Sequence, residues 1–153
     1  MSVNPIPDNC NSVNLYLIVK DAQKATDFYI KAFNGKRGVC LTAPGGCFIH
    51  GEVVIGNSTI MLTQENPEWH MQSAETLGGS PISIHLYVDD CDTVFDQAIA
   101  AGCTEVSPMV DMFWGDRYAM VKDPFGHGWA IATHTEDVSP EECEARAKQA
   151  LPG

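Results

Sequence analysis

Basic side chains are scarce: nine Lys plus Arg stand against twenty Asp plus Glu, a formal charge of −11 at pH 7. No stretch gathers the few cations into a patch able to neutralise phosphates, so neither nucleic acid nor anionic membrane is expected as a partner. No apolar run approaches the ~20 residues that span a bilayer. None of the six cysteines (Cys10, Cys40, Cys47, Cys91, Cys103, Cys143) belongs to a CxxC pair, which argues against a zinc cluster or a disulfide framework. The first residues, MSVNPIPDNCNS, lack both a basic n-region and an apolar h-region. These absences together predict free thiols in a reducing, cytoplasmic setting.

What is present has the proportions of one ordinary soluble domain over residues 1–153, with 44% hydrophobic and 19% charged residues. A chain of this length buries roughly 68–70% of its unfolded surface, so its core needs no metal or disulfide. The acidity is uneven, because Glu136, Asp137, Glu141, Glu142 and Glu144 crowd the C-terminal stretch. Such a run reads first as a solvated face.

The chain repeats itself. At an offset of 69, six of the sixteen residues between Leu17 and Ala32 recur: Leu17/Leu86, Val19/Val88, Asp21/Asp90, Asp27/Asp96, Ile30/Ile99 and Ala32/Ala101. Chance would supply about one or two, so an internal duplication is inferred. Each module opens on an alternating aliphatic run, Val13 to Val19 or Ile82 to Val88, the period of a strand with one packed face. Asp21 and Asp90 then read as helix N-caps, and Gly35 and Gly102 as left-handed C-caps. Three further strand-like runs complete each module: about 37–42, 47–55 and 59–64, then about 104–110, 116–122 and 128–133. The expected architecture is α+β, two tandem βαβββ modules over about 12–64 and 82–134, joined by a linker over about 65–81. Ser139-Pro140-Glu141-Glu142 carries an N-cap, a Pro at the first helical position and a capping-box Glu, opening a short helix to about 150.

Several segments sharpen this into a resemblance. They are Leu17-Ile18-Val19-Lys20-Asp21, Gly78-Gly79-Ser80-Pro81, His85-Leu86-Tyr87-Val88-Asp89-Asp90, Gly115-Asp116-Arg117 and Asp123-Pro124-Phe125-Gly126-His127-Gly128-Trp129. Over residues 12–134 the chain resembles the vicinal oxygen chelate (glyoxalase/bleomycin resistance/dioxygenase) superfamily, closest to its PhnB-like branch. The resemblance implies curved mixed sheets and a homodimer. It also implies four inward strand positions that supply His or Glu ligands to a metal in the metal-dependent relatives. Here those positions carry Asn14, Met61, Ser83 and Ala130, related pairwise by the same offset of 69. None is a His or a carboxylate, so no cofactor is expected at that place.

Alternation sends Asn14, Tyr16 and Ile18 to the face opposite the helices, and likewise Ser83, His85 and Tyr87; Met61, Thr63, Ala130 and Ala132 join them. A groove of aromatic, small and hydroxyl groups with little charge suits a partly apolar small molecule. His85, an imidazole beside two tyrosines, is the candidate acid/base, although it reads first as a residue that hydrogen-bonds a neighbouring tyrosine or carbonyl, or as one that contacts ligand without catalysing. His50 and Glu52, two apart on one strand, would make a relocated metal triad with His85. In the loop from Asp111 to Tyr118, Trp114 would stack on a ligand and Arg117 anchor an anionic group, or Arg117 would pair with Asp116 or Asp111 to fix the turn. Asp123-Pro124-Phe125-Gly126 reads as a structural turn. Two functions therefore compete: a metal-independent small-molecule binder, and a glyoxalase-like isomerase or lyase working through His85 or the relocated metal.

Overall fold

Fixing an alternating run in a sheet requires a partner strand in register, and the computed structural model, which describes residues 3–151, supplies the same register twice. The chain divides into two compact units, Met1–Ser80 and Pro81–Gly153. In the first, β1 (Leu15–Val19), α1 (Ala22–Ala32), β2 (Lys36–Thr42), β3 (Phe48–Ile55) and β4 (Ser58–Gln64) form a mixed sheet of order β1-β4-β3-β2. A short α2 (Ala74–Leu77) follows. In the second, β5 (Ser83–Tyr87), α3 (Cys91–Ala101), β6 (Thr104–Asp111), β7 (Asp116–Lys122) and β8 (Gly128–His134) repeat that order, and α4 (Pro140–Ala150) ends the unit. The first and last strands of each unit run parallel: Leu15↔Ile60 and Tyr16↔Met61 become Ile84↔Trp129 and His85↔Ala130 at the offset of 69. The expected α+β fold of paired βαβββ modules is thus present residue by residue.

Each helix starts where its acid predicts. Asp21 accepts from the Lys24 amide at 2.9 Å and Asp90 from the Thr93 amide at 3.0 Å, satisfying one of the four free donors of the first turn. The helices bury one stripe against their own sheets: Ala25, Tyr29 and Ala32 with Leu17, Val53 and Leu62 in the first unit, Val94 and Ala98 with Val121, Trp129 and Ile131 in the second.

Three expectations need correction. The left-handed residue closing α1 is Asn34 (φ 54°), not Gly35. Gly35 is needed for a different reason: a Cβ there would lie 2.5 Å from Val53 Cγ1, so only glycine lets the chain pass over β3. Val13 and Ile82 precede their strands and are exposed. In the first unit the cause is local, since the Asn14 side-chain amide accepts from the Asn11 N–H and donates to the Asn11 carbonyl, turning the chain before β1. The linker stretch falls in the first unit up to Ser80 and has local structure of its own, with Glu65 accepting from the Ser73 amide at 3.0 Å and the Thr76 hydroxyl at 2.7 Å. Finally, only half of the capping box forms at α4: Ser139 accepts from the Glu142 amide, but the Glu142 carboxylate takes Arg146 at 2.8 Å. Among the described residues no helix is long and apolar enough to cross a membrane.

Candidate functional site

In the second unit β8 runs between β5 and β7, and its register sets three rows across the face away from α3. His85 and Met120 flank Ala130; Tyr87 and Tyr118 flank Ala132; Asp116 stands opposite His134. Two alanines, 1% and 0% exposed, therefore floor a strip walled by larger side chains on both neighbouring strands. The rings meet along this strip. Centroids lie 4.6 Å apart for His85 and Tyr87, 5.8 Å for His85 and Tyr118, and 5.7 Å for Tyr118 and Trp114 in an edge-to-face arrangement.

Asp116 closes the circuit. It is 3% exposed and accepts from the Tyr87 hydroxyl at 2.8 Å and the Trp114 indole N–H at 2.9 Å on one oxygen, and from His134 Nδ1 at 2.8 Å on the other. Burial alone would raise its pKa, but the bonds from His134, Tyr87 and Trp114 outweigh that and hold the carboxyl below its ordinary range. The same bond raises the Tyr87 phenol, with burial adding to it. His134 also reaches the Asp137 carboxylate, through Nε2 at 2.9 Å. Carboxylates accept only, so filling both contacts requires both ring nitrogens to donate, and His134 is then an imidazolium. Its pKa is raised accordingly, first by Asp137 and then by Asp116.

Trp114 reaches this position through Gly115. The glycine adopts φ 100°, and a Cβ on it would fall 2.1 Å from the Glu136 carbonyl oxygen. The amides of Thr135 and Glu136 bond the Gly115 carbonyl at 2.9 and 3.0 Å, clamping the turn between β7 and the chain leaving β8.

The sequence-derived candidates separate into groups. His85, Tyr87, Ala130 and Trp114 come together in this circuit, while Ser83 opens β5 opposite Gly128. Arg117 does not join them. Its neighbour Asp116 takes the groove face, so the pleat sends Arg117 to the helix side, where it grips Asp92 at 2.6 and 2.7 Å and Asp111 at 3.2 Å. Of the two pairings considered for it, Asp111 forms and Asp116 does not.

In the first unit Tyr16, Met61 and Glu52 share one row, with Thr63 and His50 beside it. The Glu52 carboxylate receives the Asn9 amide at 3.1 Å, the Val39 N–H at 3.4 Å and His50 Nε2 at 3.3 Å. Tyr16 stacks on His50 at 5.9 Å. Thr63 spends its hydroxyl on the Ile49 carbonyl. Sequence reading considered Asp116 only as a partner for Arg117 and missed it as the acceptor for Tyr87, Trp114 and His134; it also missed His134 and Tyr118. Extending the alternation rule to β7 would have found Asp116 and Tyr118, because both fall in phase with the alanine rows.

The four positions of the family's metal do not fit one. Asn14 spends its amide on Asn11, Met61 and Ala130 offer no hard donor, and Ser83 is a lone hydroxyl. His50 and Glu52 pair within the first unit while His85 lies on β5, and among the described residues no three His, Cys, Asp or Glu side chains gather as a metal-holding group.

Comparison with known proteins agrees with this architecture. Residues 10–131 match the family described as Glyoxalase/Bleomycin resistance protein/Dioxygenase superfamily. An uncharacterized protein of Mycobacterium tuberculosis (strain ATCC 25618 / H37Rv) is 37% identical over 148 residues, which cover 95% of this chain and 85% of that protein. Among solved structures, a Pseudomonas aeruginosa protein aligns with a TM-score of 0.67 at 22% identity, over 82% of this chain and 99% of its own. The PhnB protein from Bacillus cereus aligns at 0.63 and 16%, over 80% and 99%. With the duplicated βαβββ units and their shared register, these matches place the chain in the glyoxalase/bleomycin resistance protein/dioxygenase superfamily, to which it belongs.

Proposed function

We propose that this chain is a metal-independent small-molecule-binding protein of the glyoxalase/bleomycin resistance type, holding a partly apolar ligand on the aromatic face of its second unit. The carrying observation is the closed circuit Tyr87–His85–Tyr118–Trp114–Asp116 above the alanine floor. Such a face offers aromatic surface whose ring orientations are already fixed, so little ordering entropy is lost when a flat molecule settles on it. The poor metal fit at Asn14, Met61, Ser83 and Ala130 supports binding without a metal.

The competing reading, a glyoxalase-like isomerase or lyase using His85 as acid/base, has less support. A general base works best when a third group orients its ring. His85 makes ring contacts with Tyr87 and Tyr118, and among the described residues no hydrogen bond fixes its tautomer.

A fluorescence and thermal-shift screen of small aromatic and antibiotic-like compounds tests the proposal, since a ligand bound only by the native state must raise apparent stability. Hits should quench Trp114 emission in the wild type and not in Trp114→Phe. Stoichiometric metal in the untagged protein, or turnover abolished by His85→Ala with the fold intact, would overturn it. The homodimer and cytoplasmic location belong to this same proposal, and sedimentation of the purified protein tests the former.

A further inference from the structure

Resting on that reading of the site, we infer that its ligand is an organic cation, an ammonium carried on an apolar frame, held against the faces of Tyr87, Tyr118 and Trp114.

Three observations converge on this class. First, the polar hydrogens of two of the rings are turned onto Asp116: the Tyr87 hydroxyl and the Trp114 indole N–H both donate to the same oxygen. A ring whose edge proton is held by a carboxylate gains electron density on its face, and such a face attracts a cation. The same arrangement takes away two donors that an anionic ligand would need.

Second, the cations nearest in sequence are withdrawn. Arg117 lies on the helix side, held by Asp92 and Asp111, and Arg146 is held by Glu136 and Glu142. Lys122 shares the groove face but sits two rows beyond Tyr118, opposite Gly128, on the order of 13 Å along β7. The His134 imidazolium is flanked by Asp116 and Asp137, so that trio keeps a net negative charge.

Third, the field of the unit has one sign. Residues 81–153 hold thirteen of the twenty acidic side chains and only four of the nine basic ones. A surface with that excess concentrates cations before any contact is made. Aromatic faces alone would suit any flat apolar molecule; rings polarised by a buried carboxylate in a strongly acidic unit select the charged one.

The test uses a matched pair of probes, choline and its neutral carbon isostere 3,3-dimethylbutan-1-ol, titrated into the full chain at low and at 0.3 M salt. The Trp114 indole N–H resonance, assigned with Trp114→Phe, is the readout. A cation–π contribution of this kind corresponds to a preference of about tenfold for choline. Tyr118→Leu, which removes one of the three faces and leaves both rings bonded to Asp116, should narrow the preference for choline without abolishing it, whereas Asp116→Asn, if it folds, should bring the two probes to equal affinity. Equal or stronger binding of the alcohol to the wild type overturns the cation inference and leaves small-molecule binding standing. Silence with both probes overturns it too, and the compound screen then decides separately whether the face binds anything.

Discussion

Replacing Asp116 with alanine probes the centre of the second unit. The carboxylate is 3% exposed and accepts three hydrogen bonds of 2.8–2.9 Å. Bonds to a charged group contribute about 1.5–3 kcal/mol each when the freed partner stays buried. Tyr87 is 58% exposed and the His134 side chain 51%, so both of their donors turn to water in the variant. The Trp114 indole, on a half-buried side chain, is the least readily rehydrated of the three, and the desolvation of the carboxylate is recovered. The expected loss is therefore about 2–3 kcal/mol, below the ~3–5 kcal/mol typical of breaking a fully buried pair. For a chain of this size that lowers Tm by roughly 5–10 °C.

The pH dependence gives a second handle on the same pair. Asp116 has a depressed pKa, so its contribution is present above the unfolded value near ~3.9 and is lost as pH falls through the lower folded one. His134 has a raised pKa, so its contribution is complete below ~6.5 and is lost as pH rises through the higher folded value. The pair therefore stabilises most between about pH 4 and 6.5. Urea unfolding followed by circular dichroism from pH 4 to 9 should show wild type minus Asp116→Ala shrinking above that window. A difference that stays flat with pH, or a loss under about 0.5 kcal/mol, would refute the network as described.

Gly115→Ala should lose more than the ~1–2 kcal/mol of a left-handed alanine, because its Cβ also meets the Glu136 carbonyl at 2.1 Å. Gly46→Ala, at φ 87° with open space around it, isolates the conformational part, and equal losses in thermal unfolding would rule out the close approach. Arg117→Ala should leave affinity for any hit of the screen unchanged and cost a small stability increment that vanishes in 1 M salt, since its ion pairs with Asp92 and Asp111 are exposed; weakened binding would return Arg117 to the site. Ala132→Leu should fill the floor between Tyr87 and Tyr118 and weaken ligand binding at least about tenfold in titration, whereas an unchanged affinity would move the ligand elsewhere.

The fold was legible because the duplication repeats local signals that are each strong. Asp21 and Asp90 cap their helices with the same side-chain geometry, and the offset that aligns Leu17 with Leu86 also aligns the parallel registers. The facing of the candidate residues was legible on β5 and β8, where period-two alternation needs only the strand itself. Contacts were not legible where they depend on a register set by a hairpin. Asp116 meets His134 because β7 and β8 are joined by the turn over 123–127, a length the sequence states but whose pairing it does not. That turn is held by Asp123, which accepts from the Phe125 and His127 amides and the Trp129 indole, each at 2.9 Å. The adjacency of Asp116 and Arg117 misled for the same reason that alternation informs: neighbours on a strand face opposite ways.

The duplication also explains why the chemistry gathers in one unit. Residues facing the helices stay apolar between units, as in Leu17/Leu86, Leu62/Ile131 and Ile60/Trp129, because each must fill a core. Groove residues carry no such constraint and diverge: Ile18 becomes Tyr87, Met61 becomes Ala130, Thr63 becomes Ala132. One motif survives in exchanged form, since the ring pair Tyr16–His50 at 5.9 Å corresponds to His85–Tyr118 at 5.8 Å, with tyrosine and histidine trading strands. In the first unit that pair stands beside Met61, Thr63 and the saturated Glu52, so its strip is already filled. In the second, alanines take the floor and Tyr87 and Trp114 extend the walls. Trading bulk in the middle strand for aromatic surface on its neighbours is what distinguishes the face proposed to take a ligand from the packed face of the first unit.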